Sequence, residues 1–364
     1  MGQLLQTKDT TEFEVSRIPS VLFNLSLPST VNITSDIVPA EGAVILVQAV
    51  SVIGRANILE DSTGHVEPIT KGEVLPVALG KRRALRKRSG DVPTNLAIGD
   101  TIYLLSKSGV VGTSLGFYDE NERPVELKVL GAVVLAGKQV NMKDSAVPRR
   151  QKLEYSAPIV GVIGTCMDVG KTTMICKLIS ELRKKDMRIA AVKLTGVASL
   201  RDLLKMDGAG ADPVMGFMDG GLPSTCGDIS EVVEVALGVL HKVNQAQPDL
   251  IVAEFGDGLL GDYGVEQLMR CPDIRQNTIA FILSAGDLVS VYGARELMKL
   301  YGAEISLSTG PAVNNLTAAS YVEEHIGGLA ESNQHAIPKT VAMVEANLEK
   351  HRTRLLGSSD TVSI

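Results

Sequence analysis

The stretch Ile159-Val-Gly-Val-Ile-Gly164-Thr-Cys-Met-Asp-Val-Gly170-Lys171-Thr172-Thr173 decides how the second half of this 364-residue chain folds. It predicts a buried strand that ends at Gly164, a glycine-framed loop, and a helix that begins close to Lys171. Apolar residues at helical spacing support the helix independently: Met174, Ile175, Leu178, Ile179 and Leu182. In this order, loop amides and the positive end of the helix dipole converge on one point, which is the arrangement that binds phosphate groups.

The residue types in the loop fit the phosphates of a nucleotide. Lys171 carries a charge that can reach the β- and γ-phosphates, and the Thr172 hydroxyl can bind Mg²⁺. The alternative is an ordinary glycine-rich turn between a strand and a helix. We predict nucleotide-binding contacts from the whole segment: Gly164, Thr165, Cys166, Met167, Asp168, Val169, Gly170, Lys171, Thr172 and Thr173.

The spacing of the glycines is informative, because five residues separate Gly164 from Gly170 where four are usual. The pattern G-T-x-x-x-V-G-K-T resembles the loop of dethiobiotin synthetase and its relatives among the P-loop synthetases. The resemblance covers residues 158–320, and Cys166 stands where that enzyme carries an acidic residue. It implies an enzyme that uses ATP and Mg²⁺ to phosphorylate a small carboxylate or carbamate.

Composition excludes several other classes of protein. The net charge of −6 and the absence of tryptophan disfavour a nucleic-acid partner. The four cysteines are widely spaced and form no C-x-x-C pair, which indicates reduced thiols rather than a zinc site or disulfides. No apolar run reaches 18 residues and no secretory leader is evident, so we expect a cytoplasmic protein without a membrane partner.

The pattern of apolar residues changes along the chain and predicts two domains. Residues 1–145 contain short β-type segments split by turns, which indicate a small barrel or sandwich, and 146–157 are a polar linker. Strands then alternate with helices, so residues 158–364 are predicted to form an α/β domain with a doubly wound, mainly parallel sheet. Predicted strands end near residues 194, 254, 283 and 307, and predicted helices begin near 229, 287, 314 and 338.

Two polar residues end apolar strands of the predicted sheet, where ligands of such sheets bind. Lys193 is costly to bury without an anionic partner, so we expect it to face the substrate or the γ-phosphate; the alternative is a lysine that reaches solvent at the sheet edge. Glu254 precedes a glycine-rich turn and offers the hard oxygen that Mg²⁺ prefers, although a capping or turn role is the alternative. The resembling enzymes carry a lysine and a glutamate at similar positions.

The same resemblance implies two further contacts whose positions the sequence does not decide. An aspartate that serves Mg²⁺ lies in the loop after Lys193, and among Asp202, Asp207 and Asp212 we select Asp207. An asparagine that reads the adenine base follows the last strand. We select Asn314, with Asn315 as the alternative, and an N-cap role fits either residue.

A basic segment stands apart from these residues: Lys81-Arg-Arg-Ala-Leu-Arg-Lys-Arg88. The plain interpretation is that the segment forms a solvated loop or an exposed helix face. The more specific interpretation is that its positive charges form a cationic rim that attracts an anionic substrate. Nucleic-acid binding is a third and weaker possibility.

The sequence predicts an ATP- and Mg²⁺-dependent ligase or kinase of small carboxylates or amines, with Lys171 and Lys193 as catalytic residues and Thr172, Asp207 and Glu254 at the metal. We expect it to act as a homodimer. Phosphoryl transfer needs positioning and charge stabilisation, which two lysines and Mg²⁺ supply. The alternative is a nucleotide-switch protein, such as a metallochaperone-type GTPase, whose β-rich domain binds a partner.

Overall fold

The computed structural model describes residues 10–54 and 57–359, with side chains as far as residue 354, and it forms two compact units. The first unit is the chain up to Val147 together with Val197–Arg201 and Phe217–Gly227. The second is Pro148–Gly196, Asp202–Gly216 and the chain from Asp228 onward. The division at residue 147 lies at the predicted linker. Two short segments that we expected in the P-loop domain belong to the first unit instead.

The first unit is built from short strands, as the β-type sequence pattern predicts. They are β1 (Thr11–Glu14), β2 (Thr30–Thr34), β3 (Val44–Ser51), β4 (Ile58–Glu60), β5 (Val66–Pro68), β6 (Val74–Leu79), β7 (Arg82–Arg83), β8 (Arg88–Asp91), β9 (Thr101–Leu104), β10 (Val110–Phe117), β11 (Glu126–Leu135) and β12 (Lys138–Gln139). Along β11, buried Leu127 and Val129 flank exposed Lys128, which is the alternation of a strand with one apolar face.

Five of these strands close into a small barrel. β3 pairs with β6, β6 with β10, β10 with β9, β9 with β11, and β11 returns to β3. Only the pair β6–β10 among these is parallel. The apolar faces of these strands share one core, which includes Ile45, Val47, Leu75, Val77, Ile102, Leu104, Val111, Leu127 and Val129. Of the two predicted alternatives, barrel or sandwich, the strand pairing is that of a barrel.

The basic segment 81–88 is a solvated turn only in its middle, which corrects the plain interpretation for its two ends. Its ends form β7 and β8, and the side chains of Arg82 and Arg88 are buried. Arg88 donates hydrogen bonds to the carbonyls of Leu104 and Glu122 and to Asn57 Oδ1. Burial lowers the pKa of Arg88 to about 10. Arg82 and Arg88 donate hydrogen bonds to carbonyl groups inside the first unit. Only the turn between them could therefore provide the cationic rim that the sequence suggested.

The second unit alternates strands with helices. Its strands are β13 (Ile159–Gly164), β14 (Ile189–Thr195), β15 (Val214–Gly216), β16 (Leu250–Phe255), β17 (Thr278–Ser284), β18 (Ile305–Thr309) and β19 (Leu329–Ala330). The helices of the chain are α1 (Lys171–Arg183), α2 (Leu200–Gly208), α3 (Ile229–Asn244), α4 (Val265–Arg270), α5 (Pro272–Asn277), α6 (Leu288–Leu300), α7 (Leu316–Tyr321) and α8 (Pro338–Ser359).

The strands of the second unit form one sheet in the order β15-β14-β16-β13-β17-β18-β19, and all neighbouring pairs are parallel. This confirms the predicted parallel α/β architecture. β13 lies in the middle of the sheet, and all six of its residues are buried. The carboxyl ends of its neighbours therefore surround the loop that follows it, which is where a ligand of such a sheet is expected.

Helices α1 and α8 pack on the same face of this sheet. Ile175 and Leu178 of α1 and Val344 of α8 share a core with Val160 and Val162 of β13. Side chains of a strand alternate between faces, so the rings of Phe255 and Phe281 lie on the other face, with centroids 6.3 Å apart. Helix α3 contacts β14 and β15. This packing holds β13 and α1 at a fixed separation and so shapes the loop between them.

Within residues 10–54 and 57–359, no helix is both long enough and apolar enough to cross a membrane.

Candidate functional site

The loop from Gly164 to Gly170 connects β13 to α1 at the centre of the sheet. A Cβ atom on Gly164 would lie 2.8 Å from Lys171 Nζ and 2.9 Å from Lys171 Cδ, so the lysine side chain folds directly over this residue. Asp168 adopts a left-handed backbone with φ of 61°, a conformation that aspartate tolerates better than most residues. The segment that we predicted to contact a nucleotide is therefore one loop with its lysine folded back across it.

Gly170 is the N-cap of α1 and provides no side chain to cap it. Its φ is 92°, and a Cβ atom here would lie 2.5 Å from Nδ2 of Asn333. That amide donates a hydrogen bond to the Gly170 carbonyl at 3.1 Å. Asn333 is buried and sequence reasoning missed it, because nothing in the local pattern connects it to a loop 163 positions away. The first turn of α1 therefore has no side-chain cap on its backbone amides.

Replacing Gly170 by alanine is expected to damage the loop. The left-handed backbone costs a residue with a side chain about 1–2 kcal/mol, and the contact with Asn333 adds to that cost. We expect a lower melting temperature and at least about tenfold weaker nucleotide binding, since a tenfold change corresponds to about 1.4 kcal/mol. Thermal unfolding and nucleotide titration measure the two effects.

Gly293→Ala is the matched control, because this residue of α6 has open space around its added Cβ atom. Alanine is the better helix former, so the control should be as stable as the parent or slightly more so. Equal nucleotide affinity of Gly170→Ala and the parent protein would contradict this account of the loop.

Lys171 is buried, with 6% of its surface exposed. Its ammonium donates hydrogen bonds to the carbonyls of Cys166 at 2.8 Å and of Asp257 at 2.7 Å. Burial lowers the pKa of Lys171, and the negative charges of Glu254 and Asp257 oppose that shift. The ammonium thus lies between the loop and the end of β16, and its two acceptors are neutral carbonyls that phosphate oxygens can replace.

Thr172 and Glu254 meet beside this lysine. The Thr172 hydroxyl is 3.3 Å from each carboxylate oxygen of Glu254 and donates to them. Glu254 is 4% exposed and lies in register with Val162 of β13. Burial raises the pKa of Glu254; Lys193 opposes the shift, and Asp202 adds to it. The structure therefore brings together two of the three residues that we predicted at a metal.

Lys193 and Glu254 are direct neighbours on adjacent parallel strands. Lys193 is 6% exposed, and its ammonium forms an ion pair with Asp202. The anionic partner of this buried lysine is therefore a protein carboxylate, and the lysine does not reach solvent at the sheet edge. That Lys193 faces the substrate or the γ-phosphate stays a prediction. Lys193, Glu254, Thr172 and Lys171 thus form one group of charged and polar side chains.

Asp202, rather than Asp207, belongs to this group. Both aspartates lie on α2, but Asp202 is in the first turn and contacts Lys193, whereas Asp207 lies near the end of the helix and is exposed. Asp212, the third candidate, precedes a proline just before β15. The proximity to Lys193 and to Glu254 makes Asp202 the better candidate for the carboxylate after β14.

Two glycines allow the loop after β16 to approach its neighbours. A Cβ atom on Gly256 would lie 2.2 Å from the carbonyl oxygen of Thr195, and one on Gly258 would lie 2.7 Å from that of Thr165. The hydroxyl of Thr195 donates to the Gly256 carbonyl at 2.9 Å. This close approach places the Asp257 carbonyl within reach of Lys171.

The two asparagines after β18 have different roles. Asn315 caps α7 by accepting a hydrogen bond from the Ala318 amide at 2.9 Å. Asn314 lies outside that cap, and its Oδ1 atom accepts a hydrogen bond from Ser332 at 3.2 Å. Asn315 therefore has the N-cap role that the sequence left open, and recognition of a base by Asn314 stays a prediction.

The residues present fit a magnesium ion that is shared with a nucleotide. Octahedral Mg²⁺ holds ligands at about 2.1 Å, so neighbouring ligands lie about 3 Å apart. The separation of 3.3 Å between the Thr172 hydroxyl and each Glu254 oxygen is close to this value. Among the residues that the structure describes, no group of three or more His, Cys, Asp and Glu side chains forms a protein-only metal site. Phosphate oxygens and water would therefore complete the set.

Comparison with known proteins adds little to this geometry. No known family model and no curated protein matches the chain. Chloroplast FtsY from Physcomitrella patens has a TM-score of 0.35 and 15% identity over 52% of this chain and 62% of that one. The signal recognition particle receptor FtsY from Elizabethkingia anophelis has a TM-score of 0.35 and 12% identity over 58% of this chain and 75% of that one. Its complex with GDP also has a TM-score of 0.35 and 12% identity, over 52% and 60%.

The chain spans less than two thirds of the first of these structures. Likeness of this degree says nothing about what the chain binds, and none of the three is a dethiobiotin synthetase. The resemblance to that family over residues 158–320 therefore stays an expectation from the sequence.

Proposed function

We propose that the second unit binds a nucleoside triphosphate with Mg²⁺ and transfers its terminal phosphoryl group. The observation that carries the proposal is the contact between Thr172 and Glu254 directly beside the buried Lys171. A lysine, a hydroxyl and a carboxylate at the end of the central strand are the groups that a bound triphosphate and its magnesium require.

Each group has a separate task in this proposal. The amides of residues 165–173 bind the phosphate oxygens, together with the positive end of the α1 dipole. Lys171 exchanges its bonds to the carbonyls of Cys166 and Asp257 for charge-assisted bonds to the phosphates. Thr172 and Glu254 hold the magnesium, which when bound neutralises negative charge on the phosphates. Asn314 is the candidate for recognition of the base.

Replacing Glu254 by glutamine is expected to weaken the response to Mg²⁺. Glutamine keeps the size of the side chain and removes the negative charge that a hard cation prefers. Loss of even an outer-shell partner of a metal ligand typically costs about 10–100-fold in metal affinity, so the Mg²⁺ concentration needed for half-maximal turnover should rise by at least about tenfold.

Glu266→Gln is the control for this measurement, since Glu266 forms a surface ion pair with Arg270 on α4. A magnesium titration that Glu254→Gln leaves unchanged would remove Glu254 from the metal.

The acceptor that we propose is a small carboxylate or carbamate, as for an ATP-dependent ligase or kinase. In such a step, the bond between the γ-phosphorus and the β,γ-bridging oxygen breaks while a bond to the acceptor oxygen forms. The nucleoside diphosphate leaves with the bonding electrons. The ion pair of the buried Lys193 with the partly exposed Asp202 beside Glu254 supports this proposal, because Lys193 can stabilise charge on the phosphoryl group in transfer.

A nucleotide-switch protein is the second candidate, and the closed barrel of the first unit favours it. A β-rich unit with its own hydrophobic core can serve as a module that binds a partner. In this case the acceptor of the phosphoryl group is water, and hydrolysis is slow without the partner. The base would then be guanine in a protein of the metallochaperone type that we named above.

One experiment distinguishes the two candidates. Phosphate release is measured with ATP and with GTP in parallel, alone and with pooled small carboxylates and amines. Turnover that begins only when a metabolite is added supports the ligase or kinase. Slow hydrolysis of GTP that no metabolite changes supports the switch. Absence of turnover with both nucleotides under every condition would contradict both candidates.

A further inference from the structure

A groove of about 420 Å³ lies between α1 and α2 in the second unit. It is lined by Thr172, Thr173, Cys176 and Lys177 from α1, by Lys205 and Gly208 from α2, and by Ala209 directly after α2. Pockets for small molecules in proteins begin at about 300 Å³, so the groove is large enough for a metabolite. Thr172 and Thr173, which are assigned to the nucleotide, lie at one end of the groove, and its other lining residues have no part in the proposed nucleotide site.

The groove begins at the group of side chains proposed for phosphoryl transfer. Thr172 lines it and also contacts Glu254. Cys176 lies one helical turn further along α1, and its thiol donates to the Lys205 carbonyl at 3.4 Å. The charges of Lys205, Glu254 and Asp202 all act on this thiol, whose pKa is raised mainly by burial. A molecule in the groove would therefore extend away from the magnesium ligands along α1 and α2.

The walls and the rim of the groove differ in chemistry. Gly208 and Ala209 leave space along α2, and a Cβ atom on Gly208 would meet nothing within 4 Å. Lys177 and Lys205 bring two positive charges. Lys177 Nζ donates to the His335 carbonyl at 2.8 Å. In the described part of the chain, the Lys205 ammonium makes neither a hydrogen bond nor an ion pair. It can therefore pair with an anionic ligand without breaking a contact within the described residues.

We propose that this groove binds the non-reacting end of the phosphoryl acceptor, and that this end is a carboxylate or phosphate on a short aliphatic chain. The Lys205 ammonium pairs with this anionic group, and Gly208 and Ala209 leave space for the methylene groups of the chain. The inference rests on the proposed phosphoryl transfer. It adds the class of substrate, which is an acceptor with a negative charge at the end that does not react. Such an end supplies binding free energy that positions the reacting end beside Thr172.

The test uses glutarate as the probe, a five-carbon dicarboxylate with one carboxylate for each end of the groove. Its dissociation constant for the full chain is measured by calorimetry in the presence of Mg²⁺ and ADP, and crystals soaked in it locate the molecule. We expect glutarate in the groove, with one carboxylate at Lys205. Lys205→Ala should weaken binding about tenfold, and Lys205→Arg should restore most of it.

A second variant tests the volume of the groove rather than its charge. Gly208→Leu has room for its side chain and should block glutarate while the protein stays folded, as thermal unfolding checks. Lys184→Ala is the control for the loss of a lysine, because Lys184 pairs with Glu181 on the surface of α1. Glutarate that binds with equal affinity to Lys205→Ala or to Gly208→Leu, or that fails to bind the parent protein, would overturn the proposal.

The same titrations separate this inference from the proposed function. Protein that binds Mg²⁺ and nucleotide but not glutarate refutes the groove alone. Protein that binds glutarate in the groove but no nucleotide refutes the proposed function, and with it the role of the groove as an acceptor site.

Discussion

Lys171→Ala is expected to abolish nucleotide turnover while the protein stays folded. Removing a single preorganised donor at a site of charge development costs on the order of 10²–10³-fold in rate, and a full positive charge should cost at least as much. The fold should survive, because within the described residues the buried ammonium donates only to two backbone carbonyls, and burial already disfavours its charge. Phosphate release and thermal unfolding measure the two properties.

Lys184→Ala is again the matched control, since this lysine at the end of α1 is exposed and pairs with Glu181. It should turn over nucleotide at the parent rate. If Lys171→Ala retained turnover within a few fold of the parent, the loop would not be the site of the reaction. If it failed to fold, Lys171→Met would replace it, because methionine fills the buried space without a charge.

Lys193→Ala is expected to lower kcat by on the order of 10²-fold and to leave nucleotide affinity nearly unchanged. Lys193 lies one strand further from the loop than Glu254 and pairs with Asp202, so it can stabilise the transferring group without holding the nucleotide. The measurement is the kcat of the variant beside its dissociation constant for the nucleotide. Lys299→Ala, which removes a surface lysine paired with Glu296 on α6, is the control.

Equal losses of nucleotide affinity in Lys171→Ala and Lys193→Ala would contradict this division of roles. Lys193 would then belong to the phosphate-binding loop, and the case for an acceptor beside it would lose its main support. A nucleotide switch would become the better account.

The loop and the sheet could be predicted from the sequence because their signals are local. The apolar run before Gly164 and the helical spacing after Lys171 identify β13 and α1 without any knowledge of the fold. The meeting of Lys193 with Glu254 follows from one rule, that carboxyl ends of parallel strands lie at the same edge. The short strands β15 and β19, of three and two residues, carry too little pattern to be predicted.

The rest depended on contacts between distant residues. The sequence left the choice among three aspartates open, because its glycine-rich pattern did not reveal that α2 begins at Leu200 and so places Asp202, rather than Asp207, at Lys193. The burial of Arg88 depends on carbonyl acceptors that lie 16 and 34 positions away. Asn333 donates a hydrogen bond to the Gly170 carbonyl although it lies 163 positions further along the chain.

Calorimetric titration of the full chain with ATP and with GTP, each with Mg²⁺, measures whether the loop binds a nucleotide. We expect saturable binding of at least one nucleotide to the parent protein and its loss in Lys171→Ala. Absence of binding heat with both nucleotides at several temperatures would contradict the claim that the loop from Gly164 to Thr173 holds a triphosphate.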